Sequence, residues 1–500
     1  MHNEPQAIVF NNLLDWAAAS AFQSDSEADV DGTWQVQRGV FGSSSGTLLF
    51  NPPDQSTPEL RFDPGLSGWH EVRVRMYHTG DRDRFGIYVG TTKHRALRIL
   101  RPELAVAEFE TLSRGPCDMS GASVRLDASY AECYLDSVEF VPCEPPRPLA
   151  PADKELCAIV DFADSPDDYR PNEHCAAECV RVHTEAGFTT LYWKAYKVVC
   201  EYHTKVGQVR PHWAEHRVSV GQLLETYDTL DAAVAEARQH DVKILAWLRP
   251  VNEILRTEPG PGRFMPDTPF HLAHPEVRQR ERDGRMMPCL SFAFPEVRQY
   301  FCALGRELLD RGMDGLMIDV LRHPRMAAYD KPLVDAFIEQ TGENPMEMDG
   351  DGTEQWLRFK ATAFTDMLRN FCRMMDEAGY EDKELCVRTM PQLWRNLKVG
   401  CDVEAWMNQG LIDTLVIGHH MVRSPGHTVR YDLEPIAKLT RGRARLIVQV
   451  MRGCEMPVAL ELARKAYAHA AAGTAIYESN IEVTYPSKRD AFKRLRHTRL

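Results

Sequence analysis

Asp319 closes the run Gly315-Leu-Met-Ile, so four small or apolar residues deliver a single acid. Such an acid is costly to bury unless it meets water or partners. Other apolar runs also finish in polar or aromatic groups. In chain order these are Asp161, the pair Trp193 and Lys194, then Trp247 with Arg249, and later Arg388, His419 with His420, Gln449 and Glu478. Glu253 and Arg322 stand just beyond two of these runs. Carboxylates, cations, amides and indoles are the side chains of a sugar site: flat rings cover C–H faces, and charged and amide groups bind hydroxyls. Two carboxylates flanking an acetal oxygen hydrolyse it. One stays protonated to donate to the leaving group, and the other stays ionised as nucleophile or base.

On this chemistry Asp319 is the candidate nucleophile or base, with Glu478 or Glu253 as general acid. Asp161, Trp193, Lys194, Trp247, Arg249, Arg322, Arg388, His419, His420 and Gln449 are the candidate substrate-binding residues. Asp161 serves equally as a hydroxyl binder or as a support for Lys194. Adjacent His419 and His420 alternate in direction along a strand, so one of them points inward. Two alternatives stay open: a lyase or isomerase acting on sugars through Lys194, a histidine or an added metal, and a carbohydrate-binding protein without chemistry. Other chemistries are poorly served. There is no His-x-His on the first run, no His-Glu-x-x-His helix and no Gly-x-Ser-x-Gly elbow. Arg388 and Gln449 stand where barrel metal isomerases carry Glu and His. No metal and no cofactor is expected.

The elements that must hold these groups alternate regularly. Eight short apolar runs, 157–161, 190–194, 243–248, 315–319, 385–390, 414–418, 446–450 and 474–478, have the β-branched character of strands covered on both faces. Amphipathic stretches such as Leu230 to Arg238, Val297 to Leu309 and Leu460 to Ala471 lie between them. Eight strands interleaved with helices predict an α/β fold, a (β/α)8 TIM barrel over 154–500, with reactive groups at the strand ends. An open doubly wound sheet is the competing topology, and no Gly-rich turn follows the first strand. Before residue 141 the texture differs: short alternating runs at 71–77, 85–89, 123–126 and 134–140 predict an all-β sandwich domain over 1–141. Five prolines between Pro142 and Pro151 mark a linker, 142–153.

Five hundred residues suffice for both units, and a net charge of −13 argues against a general nucleic-acid or anionic-membrane binder. No run approaches the length of apolar chain that spans a bilayer. The start, Met1-His-Asn-Glu-Pro, lacks the features of a secretory signal, so a cytoplasmic location is expected. Thirteen scattered cysteines read as reduced thiols. A carbohydrate substrate is the expected partner, and a homo-oligomer is left open.

Residues Asp314 to Pro324, Asp-Gly-Leu-Met-Ile-Asp-Val-Leu-Arg-His-Pro, resemble a signature of the family-10-like putative glycosyl hydrolases. Gly400 to Asp413, Leu290 to Arg298 and Gly473 to Glu478 resemble further segments of that group. The resemblance covers roughly the C-terminal two-thirds. It implies a TIM-barrel glycoside hydrolase with Asp319 and Arg322 in its site, and Glu478 more weakly. Val320 and His323 depart from residues frequent there. The N-terminal part resembles galactose-binding-like modules, with Trp69 and Tyr88 as its candidates for sugar stacking.

Overall fold

A computed structural model describes residues 7–17, 21–24, 33–41, 44–52, 57–78, 85–90, 97–99, 109–128, 132–145, 154–162, 175–210, 220–250, 268–321, 326–350, 352–419, 431–451, 456–483 and 486–497. Two compact units separate. One comprises 1–150 with 168–170 and 481–490, the other 151–167, 171–480 and 491–500.

In the second unit the eight apolar runs form eight parallel strands: β1 (Glu155–Val160), β2 (Thr190–Lys197), β3 (Lys243–Arg249), β4 (Gly315–Asp319), β5 (Glu384–Thr389), β6 (Thr414–Ile417), β7 (Arg445–Met451) and β8 (Gly473–Tyr477). Each pairs with its sequence neighbour, and β1 pairs with both β2 and β8, so the sheet closes on itself. Closure excludes the open doubly wound alternative. A short strand, Val199–Cys200, folds back antiparallel on the end of β2.

Outside the barrel the helices follow the amphipathic pattern. Pro295–Asp310 starts with proline at its first turn and buries Val297, Tyr300, Phe301, Leu304 and Leu308, the spacing of one helix face. Glu354–Ala378 is capped by the Thr353 hydroxyl, which accepts the Trp356 N–H at 3.3 Å, and stops at Gly379 in the left-handed region.

Inside the barrel, alternate residues of each strand make an apolar plug: Cys157 and Ile159, Tyr192, Leu245 and Trp247, Met317, Cys386, Val416, Ile447, and Ala475 and Tyr477. Side chains alternate across a strand, so the next inward position lies two residues further on. Applied to β1 through β7, that step gives Asp161, Lys194, Arg249, Asp319, Arg388, Gly418 and Gln449. The plug therefore ends in a layer of polar side chains at the C-terminal ends of the strands, the end where barrels carry their sites.

The first unit has two sheets. The larger runs Phe22–Ser24, Trp34–Phe41, Ser44–Asn51, Cys133–Pro142, Trp69–His78 and Glu110–Asp118, with Ile8–Phe10 also on Cys133–Pro142. The smaller runs Leu60–Phe62, Ser123–Asp127, Phe85–Gly90 and Leu97–Ile99. One core cluster draws on both, with Val72, Val74 and Met76 from the larger and Ile87, Val124 and Leu126 from the smaller.

Candidate functional site

Two hydrogen-bonded groups make up the polar layer. In the first, the Asp319 carboxylate is completely covered, its side chain 0% exposed. Its Oδ2 accepts from Arg388 Nη1 at 2.7 Å and from Trp247 Nε1 at 2.9 Å, while Oδ1 accepts the Leu321 N–H at 2.9 Å. Arg388 Nη2 donates to Gln449 Oε1 at 2.5 Å, and Gln449 Nε2 donates to the His419 carbonyl at 2.8 Å. Tyr431 closes the chain by donating to the Gln449 carbonyl at 2.8 Å. Strand β6 contributes no side chain at this level because Gly418 lies there, and a Cβ on it would stand 2.7 Å from Gln449 Cβ. Below, the Tyr477 ring supports the Arg388 guanidinium, whose carbon lies 4.2 Å from the ring centroid.

The second group is ionic. Lys194 Nζ is bonded to Asp161 Oδ1 and lies 3.3 Å from Glu201 Oε1. Arg210 Nη1 bonds the same Glu201 oxygen. All four side chains are buried. Glu201 follows Val199–Cys200, and Arg210 returns beside it because its N–H donates to the Cys200 carbonyl at 2.9 Å. Burial pushes the Asp161 carboxyl up, but the Lys194 and Arg249 charges outweigh it and hold the group at about 2. Asp161 is therefore ionised at neutral pH and has no proton to donate. Asn480 Oδ1 accepts its backbone N–H at 3.1 Å.

The structure thus brings together Asp161, Lys194, Trp247, Arg249, Asp319, Arg388 and Gln449 at one end of the barrel. Arg249 is buried, its guanidinium 5.8 Å from the Trp247 ring. His419 sits at the rim, partly buried, its imidazole 5.5 Å from the Tyr431 ring. Burial, reinforced by the charges of Arg395 and Arg388, lowers its pKa to about 4, so it is a neutral imidazole at pH 7. Glu478, half-buried, follows β8. Glu253, Arg322 and His420 lie outside the described residues.

Asp319 meets partners rather than water, and the expectations for Trp193 and Trp247 are corrected. Asp319 does not face solvent: Arg388 and Trp247 satisfy it from within the barrel, so partners replace water. Trp193 is not among the inward residues. It adjoins Tyr192 and Lys194, both inward, and stacks instead on Phe162 at 4.8 Å. Trp247 is inward but fully buried in the plug, its N–H committed to Asp319, so it offers no open face for stacking. Glu201 and Arg210 were missed. The available signal was an acid immediately after the apolar pair Val199 and Cys200. A separate cavity of about 710 Å³, lined by Leu357, Trp394, Leu397 and Leu439 among others, lies between outer helices rather than at this layer.

In the first unit Trp69 is half-buried on the strand face opposite Val72, and the Tyr88 side chain lies outside those described. Phe50, Tyr134 and Tyr77 line up across three strands, but Phe50 and Tyr134 stack on each other at 4.4 Å. Those two ring faces are already occupied.

No family model matches the chain, and no curated protein matches it in sequence. Among solved structures it is similar to alpha-L-fucosidase isoenzyme 2 from Paenibacillus thiaminolyticus, at 11% identity and a TM-score of 0.44, over 68% of this chain and 49% of that one. The chain thus spans about half the length of the fucosidase it matches. It is also similar to the CBM22–GH10 modules of a Clostridium thermocellum endo-1,4-beta-D-xylanase complexed with xylohexaose, at 9% identity and a TM-score of 0.36, over 100% and 98% of the two chains. A third similarity is to an alpha-galactosidase from Thermus thermophilus, at 11% identity and a TM-score of 0.39, over 93% and 94%. With identities of this size, function rests on the chemistry of the site itself.

Proposed function

We propose that the barrel is a glycoside hydrolase of the family-10-like kind, acting on an oligosaccharide or small glycoside, with Asp319 as nucleophile or base and Glu478 as general acid. The observation that carries this reading is the division of labour on Asp319. Oδ2 is held by Arg388 and Trp247, and Oδ1 takes only the Leu321 N–H among the described residues, which leaves it a lone pair for chemistry. Arg388 and Trp247 together fix the direction of the carboxylate. Asp161, already deprotonated, cannot supply the proton. Glu478 gives its proton to the leaving oxygen as the C–O bond breaks, and Asp319 Oδ1 takes either the anomeric carbon or a proton from the attacking water. Lys194, Arg249, Gln449 and the neutral His419 are the groups for substrate hydroxyls, with Arg322 and His420 as further contributors and Glu253 as the alternative general acid.

The test is hydrolysis of a panel of chromogenic glycosides by the wild-type chain and by Asp319→Asn. Loss of about 10²–10⁴-fold in turnover is expected. Wild-type turnover by the variant removes Asp319 from the mechanism. Complete burial of the Asp319 side chain supports a second reading, a sugar-binding barrel without turnover. It predicts saturable glycan binding, no hydrolysis by the wild type, and binding unaffected by Asp319→Asn.

A further inference from the structure

Glu478 has φ of 50°, in the left-handed region that residues other than glycine seldom occupy. Such a backbone persists where its surroundings over-determine it. The next two residues supply that constraint, for Ser479 and Asn480 are both 0% exposed. The Ser479 hydroxyl lies 2.9 Å from His183 Nε2 and 3.4 Å from the Ile159 carbonyl. His183 Nδ1 lies 2.7 Å from the Cys179 carbonyl, which can only accept. Nδ1 therefore carries a proton, and Nε2 shares a hydrogen bond with the Ser479 hydroxyl. Asn480 grips β1 from the same turn through the Asp161 N–H at 3.1 Å. His183, itself fully buried, sits edge-on to Phe188 at 5.2 Å.

Tyr477 belongs to the inward plug, so an unbroken strand would send Glu478 to the opposite face. The left-handed residue interrupts that alternation at Glu478. We propose that the Ser479–His183 pair is a positioning device for Glu478: it locks the turn after β8 and so keeps the general acid at the barrel mouth. This rests on the hydrolase reading above, and it assigns to a buried Ser–His pair a role in proton delivery without contact with substrate.

The expected signature is leaving-group dependence. A misplaced general acid matters little when the departing group is a good one and a great deal when it is poor. The full chain and its Ser479→Ala, Ser479→Thr and Glu478→Gln variants are compared on a dinitrophenyl glycoside and the matching phenyl glycoside, with thermal melting as the check on folding. The ratio of the two rates rises at least about tenfold in Ser479→Ala, as it does in Glu478→Gln, and Ser479→Thr brings it back. An unchanged ratio in Ser479→Ala, whether both rates fall together or neither falls, overturns the proposal. Should that variant fail to fold, the same ratio in His183→Gln decides. The outcomes separate from the parent reading: no hydrolysis by the wild-type chain defeats the hydrolase assignment and full activity in Asp319→Asn removes Asp319 from it, whereas an active wild type with an unchanged Ser479→Ala ratio defeats only the positioning pair.

Discussion

Asp161 and Asp319 lie at the same level of one barrel, each a single inward step above the apolar plug and each buried, yet they are held by different means. Asp161 sits in an alternating set of charges with Lys194, Glu201 and Arg210. Asp319 has one cation, Arg388, and two neutral donors, the Trp247 indole and the Leu321 amide. The first arrangement cancels charge pair by pair and locks strand β2 and its returning hairpin to β1. The second aims directional donors at one oxygen and leaves the other less committed. Burial alone therefore does not distinguish these two carboxylates; the type and direction of their partners does.

The largest effect separating the two carboxylates is on turnover. Asp319→Asn costs about 10²–10⁴-fold in hydrolysis of chromogenic glycosides. An equal loss in Asp161→Asn would erase the distinction between them. Next in size, Lys194→Met leaves Asp161 and Glu201 facing each other without their shared cation. Breaking a buried ion pair from one side costs about 3–5 kcal/mol, read as a lower denaturant midpoint for the barrel.

Acid sensitivity sharpens the contrast further. The folded-state pKa of Asp161 is depressed to about 2, so its contribution to stability is complete above the ordinary carboxylate range and is lost as pH falls toward 2. Asp161→Asn should flatten the acid limb of the stability profile between pH about 4 and 2. A limb as steep as wild type would show that the ionic set does not hold this group in its charged form. The smallest effect belongs to the rim. His419 titrates at about 4, below its ordinary value. The unfolded chain therefore binds this proton first, so stability from this group is full above about 6.5 and is lost as pH falls from there to 4. NMR titration of the imidazole should show it neutral down to pH near 5, and a midpoint near 6.5 would place His419 in a more open, less positive setting.

Much of the barrel was legible in the sequence for a simple reason. Strands covered on both faces must be apolar nearly throughout, so all eight appear as short runs, and each later proves to be a strand. The polar residue ending each run was equally visible. The facing of neighbours was not. Trp193 and Lys194 are adjacent, and only the register of β2 against β1 and β3 decides that the lysine enters the barrel and the indole does not. The ionic set also escaped notice, because Glu201 and Arg210 meet through a backfolded strand rather than by sequence spacing.

The chain itself determined the count of strands, their order and the acids and cations at their ends, since local apolar runs and the two-residue period of a strand are encoded residue by residue. Closure of the sheet decided the rest. It set the phase of that period for every strand at once, turned Asp319 toward Arg388 and Trp247 from β5 and β3, and placed Lys194 against Asp161 across 33 positions. Those pairings join residues that no local rule connects, and they exist because eight registers must agree around one ring.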